Sequence, residues 1–141
     1  LLVIAAGLGL AAAMQKPGAA RAIAELLMEL SPGDSPVVAL GVIYFTTVVL
    51  TETLTNTAAA ALMFPIAMAT AEQLGVDSRG FALGVAVAAS CGFASPLGYQ
   101  THLIIYGPGG YRFSDFVRIG LPLDILCGVV SLIVIPLVWP F

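Results

Sequence analysis

The sequence predicts an all-α integral membrane protein built around a re-entrant helical hairpin and a broken transmembrane helix. Three observations predict it. Hydrophobic residues make up 60% of the chain and charged residues only 9%, where an ordinary soluble domain has about 25% charged; the mean hydropathy is +1.04. A polar cluster, TETLTNT from Thr51 to Thr57, lies inside an otherwise apolar run. A second uncharged run is interrupted by Gly92, Pro96 and Gly98.

The charges divide the chain into elements. Residues 1–15 carry none and are too few for a bilayer core of about 30 Å, which takes about 20 helical residues. They are read as the end of a transmembrane helix that starts before Leu1. Residues 16–36 form an interfacial arm: Ile23, Leu26, Leu27 and Leu30 recur at helical spacing opposite Arg21, Glu25 and Glu29, as suits a helix lying along the membrane surface. The arm ends in the breaker cluster SPGDSP.

From Pro36 to Ala71 the one charge is Glu52. A straight helix of that extent would reach roughly 50 Å, with its polar cluster at the bilayer centre. Residues 37–71 are therefore expected to fold back as a re-entrant hairpin with its tip at 55–57. The outgoing helix is expected to start near Ala58, capped by Asn56 and Thr57.

Residues 81–107 are expected to form a discontinuous transmembrane helix, because Pro96 removes a backbone donor and crowds the preceding turn. After the loop GPGGYRFSD, residues 119–140 form the last transmembrane helix, with Trp139 placed like an interface aromatic. Lys16, Arg21 and Arg79 on one side balance Arg112 and Arg118 on the other, so positive charge gives no orientation.

Irregular backbone survives at membrane depth only inside protein or beside a wet cavity. Two such interruptions together point to a transporter binding site: carbonyls at half-helix ends take cations and helix N-termini face anions. The tip offers both ends. Glu52 stays open between a cation-linked or proton-linked group and one facing a wet crevice, since an anion at a helix C-terminus needs compensation. His102 is read as a structural histidine sooner than a substrate contact. Cys91 and Cys127 sit among apolar neighbours and are read as packing residues without disulfide or metal. The net charge of -3 is scattered and excludes a polyanion-binding surface, so no nucleic acid is expected. No Ser, His or Asp stands in an activated setting, so no enzyme is expected.

The stretches LTNTAAAALMFPIA and FASPLGYQTHLIIYGPGGYRFSDFVRIGLPL resemble the divalent anion/sodium symporter family, the sodium-coupled carriers of dicarboxylates, citrate or sulfate. The first is similar to the second of the family's two Ser-Asn-Thr hairpin signatures. The resemblance implies that the chain is most of the second inverted repeat of a secondary transporter, working with the N-terminal half of the same protein. It implies a homodimer in the cell (inner or plasma) membrane, moving its site by an elevator-like displacement about the arm.

It further implies sodium as coupling ion, with no organic cofactor. The sodium ligands would be Thr51, the Leu54 carbonyl, Asn56 and the Ala94 carbonyl. A small anionic substrate would meet Thr55, Asn56 and Thr57, with Ser95 and Pro96 close by. The implied activity is sodium-coupled symport of di- or tricarboxylates; the alternatives are a sulfate or other inorganic anion permease and an ion channel. Thr55 replaces the family's usual Ser, and SPLGYQ stands where many members have a Thr-Pro-Pro-like break.

Overall fold

The computed structural model describes Ala5, Gly9 and residues 19–29 and 35–141. Most of the expected first helix, and both ends of the arm, lie outside the described residues. From residue 19 on, the described residues form six helices in order: α1 Ala19–Glu29, α2 Pro36–Thr53, α3 Asn56–Leu74, α4 Ser78–Ser90, α5 Gln100–Tyr106 and α6 Phe113–Val138. Among the described residues there is no strand. Among the described residues two helices, α2 and α6, are long and apolar enough to cross a membrane.

Local chemistry sets the ends. Pro36 opens α2, where its fixed φ suits the first turn and its missing N–H is not needed. Leu54 and Thr55 are both extended and form the whole connection to α3. Thr55, rather than Asn56 or Thr57, is the N-cap of α3: its Oγ1 accepts the Ala58 N–H at 3.3 Å. The outgoing helix thus starts two residues before Ala58, and Asn56 is free to turn inward. Gly75 ends α3 with φ 67°, a conformation costly for residues with a Cβ. Asp77 caps α4 through the Arg79 N–H at 2.9 Å. Helix α6 begins at Phe113, six residues ahead of the apolar run. There the Asp115 carboxylate accepts the Arg112 N–H at 2.8 Å and places negative charge in the helix's first turn.

Helices α2 and α3 pack together and α4 lies against both; α6 covers α2 and α4, and α1 rests on α3 and α2. The shared core is Leu40, Ile43, Met63, Ile66, Phe81 and Val85, joined by small residues such as Ala39, Ala67 and Ala71. Small residues let helix backbones approach where lipid supplies no hydrophobic drive. Among the described side chains of α1, Ala24 is buried while Ile23 and Leu26 are exposed.

Helix α6 buries one stripe, Gly120, Asp124, Gly128 and Ile135. A Cβ at Gly128 would press on the Phe45 ring at 2.8 Å. Much of the rest of α6 is apolar and exposed, with Ile119 72% and Leu137 75% accessible. The chain that leaves α4 at Cys91 runs without helix to Tyr99. This break passes between the hairpin tip and α6.

Candidate functional site at the hairpin tip

The tip and the break meet through hydrogen bonds of the polar cluster. Thr51, in the last turn of α2, is fully buried and its Oγ1 donates to the Ala89 carbonyl at 2.8 Å, near the end of α4. Asn56, half-buried at the first residue of α3, turns its amide toward the same place. With Nδ2 inward it donates to Thr51 Oγ1 at 2.9 Å, the Ala89 carbonyl at 3.2 Å and the Gly98 carbonyl at 3.3 Å. That orientation satisfies the hydrogen bonds, which is the ground for assigning it.

Four oxygen-bearing groups therefore converge: the Thr51 hydroxyl, the Asn56 amide and the carbonyls of Ala89 and Gly98. If the amide turned over, its oxygen would face three oxygens, an arrangement that a cation between them stabilises. The donor set fits a hard cation such as sodium, which takes oxygen ligands from unwound helix ends. Gly98 belongs here by necessity, since a Cβ on it would collide with the Thr51 carbonyl.

The remaining residues named from the sequence are placed as follows. Leu54 is the extended C-cap of α2, with its N–H on the Leu50 carbonyl at 2.8 Å. Thr55 and Thr57 are exposed at the start of α3, and Ser95 and Pro96 are buried in the break. Ser95 Oγ accepts the Leu97 N–H at 3.0 Å, which folds the break on itself. Its carbonyl lies 3.3 Å from His102 Nδ1, and the His102 ring stacks between Tyr99 and Phe116 with both centroids at 5.5 Å. His102 thus holds the break. The direct meeting is between Thr51, Asn56 and the carbonyls of Ala89 and Gly98; Ala94 approaches the tip through its amide.

That amide is a partner of Glu52. Ala94 N–H donates to Glu52 Oε1 at 2.9 Å, so the carboxylate at the C-terminal end of α2 is compensated by backbone of the break. Asp124, on the buried stripe of α6, is 95% buried and accepts the neighbouring Phe93 N–H at 3.4 Å. Glu52 Oε2 is buried with no hydrogen-bond partner among the described residues. The signal that could have found Asp124 is the spacing Gly120, Asp124, Gly128, one stripe of a helix. Beyond the break, a cavity of about 260 Å³ lies between α5 and α6, walled by Phe93, Ile105, Phe116 and Leu123.

The chain is similar to several transporters along its whole length. It is 37% identical to the uncharacterized transporter YfbS of Escherichia coli strain K12 over 141 residues, covering 100% of this chain and 23% of that protein. It is 34% identical to sodium/sulfate cotransporter 1 of Chlamydomonas reinhardtii over 131 residues, 92% of this chain and 15% of the relative. It is 30% identical to the sodium-dependent dicarboxylate transporter SdcS of Staphylococcus saprophyticus over 135 residues, 96% of this chain and 26% of the relative. The chain thus spans about a quarter or less of the curated relatives it matches. Its apolar helices and these relatives make it part of a membrane-embedded, multi-pass protein. The model of the sodium:sulfate symporter transmembrane region matches residues 1–141, and the chain belongs to that family.

Proposed function

We propose that the full-length protein is a secondary transporter of the cell membrane that couples sodium entry to uptake of a small divalent oxyanion. The observation that carries this is the convergence of the Thr51 hydroxyl, the Asn56 amide and the carbonyls of Ala89 and Gly98. The hydroxyl and the two carbonyls offer oxygen to a cation, and the Asn56 amide would add its own on turning over. Beside them α3 begins, with Thr55 and Thr57 exposed at its positive end, where an anion is favoured. A cation and an anion bound side by side lower each other's cost of leaving water.

Depth supports a re-entrant reading. Helix α4 is 13 residues long, about 20 Å, and the tip meets the chain where α4 ends. A tip at that level lies inside a hydrocarbon layer of about 30 Å. The hairpin and broken helix then form one half of the site, and an inverted copy in the N-terminal half forms the other. The arm α1 links a fixed scaffold to the moving site, and the whole protein works as a homodimer.

Sulfate is the first substrate to test, because relatives named for sodium/sulfate cotransport match this chain more closely than SdcS does. Dicarboxylates are the second reading. The test is uptake of labelled sulfate, succinate and citrate into proteoliposomes holding the full-length protein, with and without a sodium gradient. Saturable, sodium-dependent uptake of one anion is expected, and Asn56→Ala with Thr57→Ala should abolish it. Sodium-independent uptake that survives both substitutions would refute the proposal, and conductance without saturation would point to a channel.

A further inference from the structure

We infer that Glu52 and Asp124 are positioning residues that hold the broken segment, from two different helices, by its consecutive amides, Phe93 and Ala94. The inference deepens the sodium-site reading and rests on it. Glu52 comes from the end of α2 and takes the Ala94 N–H at 2.9 Å. Asp124 comes from the middle of α6 and takes the Phe93 N–H at 3.4 Å.

Thr51, one residue before Glu52, holds the Ala89 carbonyl at 2.8 Å. The last turn of α2 therefore holds the segment at two points five residues apart. One is a carbonyl that meets Asn56, and the other is the amide of Ala94. A turn before Asp124, Gly120 lies so close to the Phe93 carbonyl that a Cβ there would collide with it.

Backbone that leaves a helix inside a membrane needs partners from protein. The Glu52 contact has the length of a charge-assisted bond, and Asp124 adds a longer contact on the adjacent amide. Neither group is among the oxygens that converge on Asn56. Their effect runs through the backbone: with the amides held, the Ala89 and Gly98 carbonyls keep their spacing from Thr51 and Asn56. Released, the carbonyl set spreads and binds a cation less tightly.

The experiment uses the full-length protein in proteoliposomes and in detergent. Glu52→Gln and Asp124→Asn keep an acceptor oxygen, while Glu52→Met and Asp124→Leu remove it at similar volume. The Met and Leu variants should need roughly tenfold more sodium for half-maximal uptake, as loss of a hydrogen bond to a charged group implies. Uptake at saturating sodium should change far less. The sodium-induced rise in melting temperature should shift to higher sodium in parallel, and the Gln and Asn variants should stay near the parent.

A milder variant, Glu52→Asp, withdraws the oxygen by one methylene and should shift sodium demand in the same direction, which keeps the test open if Met or Leu blocks folding. Unchanged sodium demand in these variants overturns the inference. So does lost uptake without a shift in demand, or Gln and Asn variants as impaired as Met and Leu. If the parent itself ignores sodium, the reading of the tip fails; a sodium-dependent parent with indifferent variants fails the clasp alone.

Discussion

Gly98 lies against the carbonyl of Thr51, so close that the backbone of the break and the last turn of α2 touch with no side chain between them. The contact joins the two irregular stretches of the chain. It also makes the site sensitive to a single methyl group.

Gly98→Ala and Gly120→Ala should each destabilise the protein by about 1–3 kcal/mol or more, the usual range for overpacking, because the atoms they meet are backbone atoms that cannot rotate aside. Melting temperature in detergent checks this. Gly107→Ala, where a Cβ meets nothing within 4 Å, should leave it nearly unchanged.

Thr51→Val keeps the shape of a buried residue and removes its hydroxyl. It leaves the Ala89 carbonyl with one donor fewer, which should lower stability by about 1–3 kcal/mol. Sodium-dependent uptake should weaken with it, measured as the sodium concentration at half-maximal rate. A Val variant with normal stability and normal sodium demand would remove Thr51 from the site.

Thr55→Ala deletes the cap of α3. A loss of about 1 kcal/mol is expected, the usual effect at an N-cap, and Thr55→Ser should restore it. Substrate affinity measured on the same variants separates capping from anion contact: a purely structural cap leaves affinity unchanged once the protein is folded.

Met63→Ala opens a hole in the shared core, where Met63 is 2% exposed, and should cost about 2–5 kcal/mol. Tyr44→Phe should do little, since the hydroxyl makes only a 3.5 Å contact with the Cys91 sulfur and sulfur is a weak acceptor. Thermal unfolding of the two variants side by side gives the contrast.

The all-helical, lipid-facing character was legible from composition, and the polar tip and Pro/Gly break stood out because they violate an apolar background. Thr51 and Asn56 were expected in the sodium site only through the family resemblance, which the polar tip carries. The carbonyls of Ala89 and Gly98 could not be read, because a carbonyl leaves no mark in a sequence. Asp124 was hidden for another reason: its hydrogen-bond partner Phe93 is 31 residues away, and only packing of α6 brings them together. The cap was misplaced by one or two residues because Thr55, Asn56 and Thr57 are all good cap residues, and only the extended backbone of Leu54 and Thr55 decides among them.

The grip of Asp124 on the break sets an order of assembly. A ribosome delivers Phe93 and Ala94 well before Asp124, so the Phe93 amide is made 31 residues ahead of its acceptor. Lipid offers that amide no partner. The first part of the broken helix must therefore wait beside water or the insertion machinery until α6 emerges. In a nascent full-length chain stopped between Tyr106 and Phe113 the Phe93 amide should exchange its hydrogen with solvent faster than in one that extends past Val138.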